Sequence, residues 1–221
     1  MLQEKKGDLR NMKHSSVRRT ILIAIAAVMS MILSTGVCFG SVSKPAGIEI
    51  PAKLPRLDQP VLITSIGQAP GASWAKVLMK QLKIDVTHDD MVTAEDLVKA
   101  SKNPKTAYKT LIMSMGTSLK GMGGAGVDID KEVARCNALA DQAKKLGMTI
   151  VGIQIEGSAR RTDESDEKSN RAVTSKSDIL IVRKEVDKDG FFTNAAKQKG
   201  IPIIRTVESM DFKYAFSVLF R

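Results

Sequence analysis

Residues 110–132, TLIMSMGTSLKGMGGAGVDIDKE, decide the fold class. An apolar, strand-like run extends from Thr110 to Gly116, a polar glycine-rich stretch follows as far as Gly126, and a helix is predicted to begin at or just after Asp128. Proteins with an α/β fold hold anionic groups with this arrangement, because the loop N–H groups and the positive end of the helix face the ligand. The stretch therefore predicts an α/β fold with a glycine-rich binding loop at the end of a strand.

The same alternation of apolar strand and amphipathic helix continues along the chain. Thr93 is a predicted helix N-cap, and Gly147 and Gly200 are predicted to end helices. Continuously apolar strands are typical of parallel strands covered on both faces. We therefore predict a single doubly wound, flavodoxin-like or Rossmann-like three-layer sandwich with five or six mostly parallel strands. The predicted strands are 59–66, 83–86, 110–116, 148–155, 178–182 and 201–206, and the predicted helices are 72–82, 91–101, 128–146, a segment ending near 177, 191–199 and 210–220.

The first part of the chain has the pattern of a secretory signal. Met1–Arg19 is polar and basic, residues 21–39 carry no charge, and small residues follow. This succession predicts a signal peptide, cleaved after Ser43 or after Gly40. Nineteen uncharged residues are also about the number that spans a bilayer, so an uncleaved membrane anchor stays an alternative.

This pattern divides the chain into three parts. Residues 1–43 are the predicted signal peptide or anchor, residues 44–58 an extended linker with three prolines, and residues 59–221 the α/β domain. The predicted location is outside the cytoplasm: secreted, periplasmic, or tethered to the membrane by residues 20–40. The pair Arg18-Arg19 leaves the twin-arginine export route open beside the general one.

Charge and composition argue against several classes of function. Cleavage removes six of the 34 basic and two of the 24 acidic residues, so the mature chain has a net charge of +6. The basic residues are dispersed, and two Tyr and one Trp offer few rings for stacking on bases, so no nucleic-acid partner is predicted. Cys136 is the one cysteine left after cleavage, which excludes an intramolecular disulfide, and its helical apolar surroundings predict a buried thiol.

The glycine-rich loop satisfies the pattern G-x-G-x-x-G in letters but not in spacing. In the dinucleotide-binding fingerprint the first glycine directly follows the strand, whereas here Gly121 comes five residues after Gly116. A P-loop would need a lysine directly after Gly121, where the chain has methionine. Two interpretations are left: a flexible surface loop, or a cradle of N–H groups for an anion that Thr117, Ser118 and Lys120 complete.

A second candidate follows the strand at 148–155. Ligands of open parallel sheets bind beyond the carboxyl ends of the strands, where Arg160 and Arg161 could hold a carboxylate or phosphate bidentately. The alternative is that both arginines pair with the acidic residues between positions 163 and 167 in a solvated loop. The predicted ligand-contacting residues are Ser65, Gln68, Thr117, Ser118, Lys120, Gly121, Gly123, Gly124, Glu156, Arg160, Arg161 and Arg205.

No catalytic residue or metal ligand is predicted. Ser65 would need a base to act as a nucleophile, and His88 is the one histidine of the mature chain. The nucleophile-elbow pattern G-x-S-x-G does not occur. His88, Asp89 and Asp90 are consecutive, so their side chains cannot all reach one metal ion from regular structure. The cofactor is left unspecified.

One long stretch resembles a known group of proteins. The run GTSLKGMGGAGVDIDKEVARCNALADQAKKLGMTIVGIQIEGSARRTDESD, from Gly116 to Asp166, and the later DKDGFF are similar to a family of uncharacterised secreted bacterial domains. The resemblance covers residues 59 to 221. That family has no assigned activity, so the resemblance implies export and an α/β fold and carries over no catalytic residue.

These observations favour a binding module over an enzyme. The leading hypothesis is an exported, non-catalytic module that binds a small anionic ligand at the carboxyl ends of the strands. One alternative is an enzyme with a nucleotide-like or flavin cofactor, or with a phosphorylated or carboxylated substrate. Another is an accessory protein that binds a membrane-protein partner. The oligomeric state is not predicted.

Overall fold

The computed structural model describes residues 42–220, whose helices and strands are layered around one parallel sheet. The sheet has six strands in the order β2-β1-β3-β4-β5-β6, and every neighbouring pair is parallel. The order reverses between β1 and β3, as in flavodoxin-like sheets, which confirms the predicted fold class. The strands are β1 (Val61–Ile66), β2 (Val86–His88), β3 (Thr110–Met115), β4 (Thr149–Gln154), β5 (Ile179–Arg183) and β6 (Ile203–Thr206).

Seven α-helices lie within the described residues and connect or follow the strands. They are α1 (Gly71–Gln81), α2 (Ala94–Ser101), α3 (Leu119–Ala125), α4 (Ile129–Lys145), α5 (Glu164–Lys176), α6 (Phe191–Lys199) and α7 (Phe212–Leu219). Short 3₁₀ turns follow three of the strands, at Gly157–Arg160, Lys184–Asp187 and Ser209–Asp211.

The two faces of the sheet hold separate hydrophobic cores. On one face α1 and α7 pack against side chains such as Ile63, with Phe216 fully buried between the layers. On the other face α2, α4, α5 and α6 pack against side chains such as Leu62, with Phe192 fully buried. Successive residues of a strand point to opposite faces, which is why Leu62 and Ile63 belong to different cores.

Local signals predicted several helix ends correctly. The Thr93 side chain accepts a hydrogen bond from the Asp96 N–H and the Asp96 carboxylate accepts one from the Thr93 N–H, which makes a capping box at α2. Gly147 and Gly200 follow α4 and α6 with φ values of 70° and 66°, a conformation that glycine adopts without a steric penalty.

The glycine-rich segment differs from its prediction, because residues 119–125 form helix α3 rather than a loop. The Ser118 side chain accepts a hydrogen bond from the Gly121 N–H at the start of this helix. Gly126 ends it with φ 68°, and the side chain of Met122 is buried beneath it. These two caps and one buried anchor outweigh the low helix propensity of the glycines.

Strand β2 begins three residues later than predicted. The Lys83 N–H donates to Lys80 O and the Ile84 N–H to Met79 O, so residues 83 and 84 belong to the turn that ends α1. Lys83 also has φ 58°, which is incompatible with an extended strand.

The segment before β1 packs against the domain. Glu49 forms an isolated antiparallel bridge with Arg205, and the side chains of Ile48 and Leu57 are buried. The predicted signal falls almost entirely on residues 1–41, outside the described residues. Among residues 42–220 no helix is both long enough and apolar enough to cross a membrane.

Candidate functional site

The carboxyl end of β4 carries a buried ion pair. Glu156 has a side chain only 4% exposed, and its Oε1 accepts a hydrogen bond of 2.8 Å from the Gly71 N–H at the start of α1. Its Oε2 accepts one of 2.9 Å from Arg160 Nε. Arg160 Nη1 donates to Thr117 O at 2.7 Å. The guanidinium therefore joins the ends of β3 and β4 through hydrogen bonds to Glu156 and Thr117.

Arg160 also covers the end of β3. A Cβ atom at Gly116 would lie 2.8 Å from Arg160 Cβ, so the aliphatic part of the arginine lies directly over the glycine. The segments at 116–126 and 156–161 thus meet at one edge of the sheet.

Arg161 is held separately, near the end of β5. Its guanidinium makes two hydrogen bonds to Glu167, at 2.7 and 3.0 Å, and one of 3.0 Å to Asp189. The hydrogen bond to Glu167 raises the pKa of Arg161 above its ordinary value, with a smaller contribution from Asp189. The guanidinium carbon lies 5.3 Å from the centre of the Phe191 ring, which adds a cation–π contact.

The polar residues after β3 have local structural roles. Thr117 donates from its N–H and its hydroxyl to Asp166 Oδ1, at 2.9 and 2.6 Å, and Asp166 is almost fully buried. Ser118 caps α3. Lys120, Gly123 and Gly124 lie on the outer side of α3, the lysine exposed and the glycines with open space where a side chain would be.

A buried Glu–Arg pair that the sequence analysis missed organises the end of β1. Glu132 is fully buried on α4, and its Oε2 accepts hydrogen bonds from the Gly67 N–H (2.9 Å) and from Gln68 Nε2 (3.1 Å). Arg135 Nη2 donates to the same oxygen at 2.9 Å and also to Ser65 O. The spacing E-x-x-R in the first turns of a predicted helix was the available signal, since it places both side chains on one face.

Ser65 and Arg205 complete the set of predicted residues. The Ser65 hydroxyl is buried and accepts a hydrogen bond of 3.0 Å from the Ala69 N–H. Arg205 pairs with Glu49 at 2.6 Å. A hydrogen bond from Lys184, followed by the charges of Arg205 and Lys184, lowers the pKa of Glu49 despite an opposing effect of burial.

The structure thus gathers some of the predicted residues and separates others. Gln68, Thr117, Gly121, Glu156 and Arg160 lie together where β1, β3 and β4 end, whereas the other two arginines lie beyond β5 and at β6. No group of three His, Cys, Asp or Glu side chains within residues 42–220 is arranged to hold a metal ion.

A groove that was not predicted lies between α1 and the edge strand β2. It has a volume of about 550 Å³ and is lined by Ser73, Lys76, Val77, Lys80, Gln81 and His88. His88 Nε2 lies 2.9 Å from Asp90 Oδ1, as an ion-pair contact without the alignment of a hydrogen bond. Helix α1 carries two exposed apolar residues, Trp74 and Val77, and Val77 lines the groove.

A family model matches residues 58–220, and its description is Domain of unknown function (DUF6305). The chain belongs to this family. The match confirms the expected likeness to a family without an assigned activity. No curated protein matches the chain.

Solved structures with a distant likeness are described as hydrolases. A GDSL-like lipase from Bacteroides thetaiotaomicron VPI-5482 is 10% identical over 66% of this chain and 66% of its own, with a TM-score of 0.34. A putative acylhydrolase from Bacteroides fragilis NCTC 9343 is 10% identical over 70% and 72%, with a TM-score of 0.31. The psychrotrophic esterase EstA from Pseudoalteromonas sp. is 10% identical over 66% and 76%, with a TM-score of 0.32. A likeness of this degree transfers no activity to the chain.

The predicted function of a non-catalytic module for a small anionic ligand is wrong. The three solved structures named above are described as a lipase, an acylhydrolase and an esterase. In the chain itself, Arg160 and Arg161 are bound to carboxylates of the protein. Neither alternative, the nucleotide- or flavin-dependent enzyme or the accessory protein of a membrane partner, gains support.

Proposed function

We propose that the chain is a protein-interaction module that binds an extended, acidic segment of a partner protein in the groove between α1 and β2. The observation that carries the proposal is the open edge of β2, since no strand within residues 42–220 pairs with its outer side. An unpaired strand edge is a template for another extended chain. The groove beside this edge offers space for the side chains of such a segment.

The backbone of β2 has hydrogen-bonding groups on its outer side. Asp85 O accepts a hydrogen bond from the Val61 N–H, and the Asp89 N–H donates to Ile63 O. In a parallel pair alternate residues bond to the same neighbour, so positions 85, 87 and 89 face β1. The N–H and C=O groups of Val86 and His88 therefore point away from the sheet, where an added strand would bond to them.

The side chains of the groove favour an acidic segment with apolar residues. Lys76 and Lys80 stand one turn apart on α1, and neither forms an ion pair with another described residue. Trp74 is 48% exposed and Val77 56% exposed on the same helix, and exposed tryptophan is enriched among residues that dominate binding energy. Carboxylates of the segment would meet the lysines while its apolar side chains cover these two residues.

Other occupants fit the groove less well. Two copies of this chain joined through their β2 edges would place the lysines of both copies close together, which is unfavourable. Residues 1–19 of the chain are basic and would meet the same repulsion. A partner segment rich in Asp or Glu has the complementary charge.

Binding is tested with a short peptide that alternates glutamate and valine and with a matching peptide of lysine and valine. Trp74, the one tryptophan of the chain, is exposed on α1, next in sequence to the lining residue Ser73, so its fluorescence is the readout of binding. We expect the acidic peptide to bind and the basic one not to bind. The double variant Lys76→Glu/Lys80→Glu should weaken binding about tenfold or more, whereas the control Lys120→Glu/Lys188→Glu should bind as the parent protein does. Equal binding of both peptides, or of neither, refutes the proposal.

Strand addition is tested separately by amide hydrogen exchange. The Val86 and His88 amides should exchange more slowly in the complex, because each gains a hydrogen-bond acceptor. If the acidic peptide binds and these amides keep their exchange rates, binding occurs by charge alone and strand addition is wrong.

Hydrolysis of a bound ester or amide is the second candidate function. The observation that favours it is that Ser73 and His88 line the same groove, with Asp90 beside the imidazole. A serine, a base and an orienting carboxylate are the parts of a nucleophilic site, although no hydrogen bond joins Ser73 to His88 among the described residues. Ser73→Ala should abolish the hydrolysis of p-nitrophenyl butyrate, and Ser101→Ala should leave it unchanged. Activity that survives Ser73→Ala excludes this site.

We also propose that the chain is exported. Supporting this are the basic Met1–Arg19 segment, the uncharged residues 21–39 and the small residues after them. Residues 1–58 fused to a reporter enzyme that is active only outside the cytoplasm should give activity, and Ile25→Arg should remove it. N-terminal sequencing of the exported protein would identify cleavage after Ser43 or Gly40, or an uncleaved anchor.

A further inference from the structure

The topology of the sheet collects lysines at one end of the domain. All strands are parallel, so the helices that connect them run in the opposite direction and end at the amino-terminal edge of the sheet. We call this end of the domain, with the last helical turns and the loops that enter the strands, the basic edge. Its lysines are Lys80, Lys83, Lys99, Lys102, Lys105, Lys109, Lys144, Lys145, Lys176, Lys197 and Lys199.

Few carboxylates balance these lysines. Lys176 pairs with Asp141 at 2.8 Å and Lys99 with Asp96 at 3.2 Å. The loops of the basic edge add Asp58, Asp85 and Asp178. The exposed lysines of this edge that form no ion pair with another described residue include Lys80, Lys102, Lys105, Lys109, Lys144, Lys145 and Lys197.

The surroundings of Lys199 show that the electrostatic potential in this region is positive. Its Nζ donates hydrogen bonds to the carbonyls of Thr174, Ser175 and Ser177 at the end of α5. Burial lowers the pKa of Lys199, and the charge of Lys144 lowers it further. Lys144 and Lys199 are thus close enough to repel one another, which a bound anion would relieve.

A recess opens beside Lys109 at this edge. It has a volume of about 270 Å³, with Leu97 and Met148 buried beneath it and Tyr108 and Lys109 in its lining. This is just under the range of roughly 300–1,000 Å³ typical of drug-sized ligand sites, so it suits part of a lipid rather than a whole one.

We infer that the basic edge docks on an anionic phospholipid surface. Its lysines would bind lipid phosphates, and the glycerol headgroup of one phosphatidylglycerol molecule would lie in the recess. The acidic first turns of α2, α4 and α5 lie at the opposite edge and would turn that side away from the surface. Nucleic acid fits less well, because Tyr108 is the one aromatic side chain that lines the recess. The recess shares no lining residue with the groove between α1 and β2, and Lys80 is the one lysine that belongs to both the groove and the basic edge.

Vesicle flotation tests the inference with the full chain. Vesicles of phosphatidylcholine with added phosphatidylglycerol should bind the protein, and high salt should release it. Each lysine near such a surface changes the partition coefficient about fivefold, so Lys144→Gln/Lys145→Gln should weaken binding about 25-fold. Lys120→Gln/Lys188→Gln makes the same charge change at the opposite edge and should bind as the parent protein does.

Three results would overturn the inference. Binding carried by the basic leader alone would be equal for all three proteins. Equal losses in the two double variants would mean that net charge, and not this edge, attracts the protein. Water-soluble dihexanoyl phosphatidylglycerol should shift the NMR signals of the Tyr108 and Lys109 amides, and shifts confined to other residues would remove the recess from the site.

Discussion

The three glycines of α3 provide a sensitive test of its structure, because the same substitution should have opposite effects along one helix. Gly123 and Gly124 have open space where a side chain would lie. A Cβ atom at Gly121 would lie 2.3 Å from Gln68 O and 3.1 Å from Gln68 Cβ. Gln68 cannot move aside easily, since it bridges to Thr117 and its side chain donates to a buried carboxylate.

The magnitudes follow from helix propensity and packing. Replacing an unhindered helical glycine by alanine stabilises by about 1 kcal/mol, so Gly123→Ala and Gly124→Ala should each raise the free energy of unfolding by that amount. Overpacking against a fixed backbone atom costs about 1–3 kcal/mol. At Gly121 this cost competes with the same gain in propensity, so Gly121→Ala should be destabilising by up to about 2 kcal/mol.

Urea unfolding followed by circular dichroism measures these differences. The midpoint should rise for Gly123→Ala and Gly124→Ala and fall for Gly121→Ala, with the slope unchanged in all three. A change of 1 kcal/mol also moves the melting temperature by about 2–4 °C in a domain of this size. If all three variants are destabilised alike, residues 119–125 are not a helix with a free outer side, and a flexible loop or a covered surface is the better description.

Three further predictions concern buried and paired groups. Glu132→Ala should cost about 3–5 kcal/mol in unfolding free energy because it leaves a nearly buried arginine without its partner, whereas Glu164→Ala, at an exposed position, should change it by less than about 0.5 kcal/mol. Burial raises the pKa of the Cys136 thiol to about 12, so this thiol should not react with Ellman's reagent at pH 8 until the protein is unfolded. A hydrogen bond from Lys184 holds the pKa of Glu49 below its value in the unfolded chain. Glu49→Gln should therefore lower the unfolding free energy by up to about 1 kcal/mol at pH 7. This difference should shrink as the pH falls through and below the pKa of an ordinary carboxyl group.

The structure of α3 explains why the glycine-rich stretch was wrongly predicted to be a loop. Propensity alone argues against a helix with three glycines in seven residues. The helix is stabilised by the Ser118 cap and the buried Met122, and it ends at Gly126 in a left-handed conformation. The cap and the terminal glycine are local and were readable, but the burial of Met122 depends on packing against residues distant in the chain.

The arginines after β4 illustrate a second limit of prediction from sequence, which is the choice of partner for a charged side chain. Two adjacent arginines at a strand end are compatible with an anion site and with internal ion pairs. Arg160 reaches Glu156 on its own turn, but it also donates to Thr117 O across the neighbouring strand. Arg161 reaches Asp189, 28 residues further along the chain. Which partner each guanidinium finds depends on the order of β3, β4 and β5, which residue spacing does not reveal.

The sequence alone determined the fold class, most element boundaries and the distribution of charge along the chain. Apolar strand runs, the Thr93 cap and the glycines after helices act over a few residues, so their effect is readable locally. The collection of lysines at one edge follows from the same local preference once all strands are parallel, because lysines in the last turn stabilise a helix dipole.

Tertiary structure alone decided which side chains at the carboxyl edge of the sheet pair with other residues of the protein and which surfaces stay open. Ion pairs and hydrogen bonds depend steeply on distance, and the distances between Glu132 and Gly67, or between Arg160 and Thr117, are set only when separate elements pack together. The open side of β2 is likewise a property of strand order. For this reason the polar groups of residues 116–126 form hydrogen bonds within the protein. The groove beside β2 is therefore the candidate site.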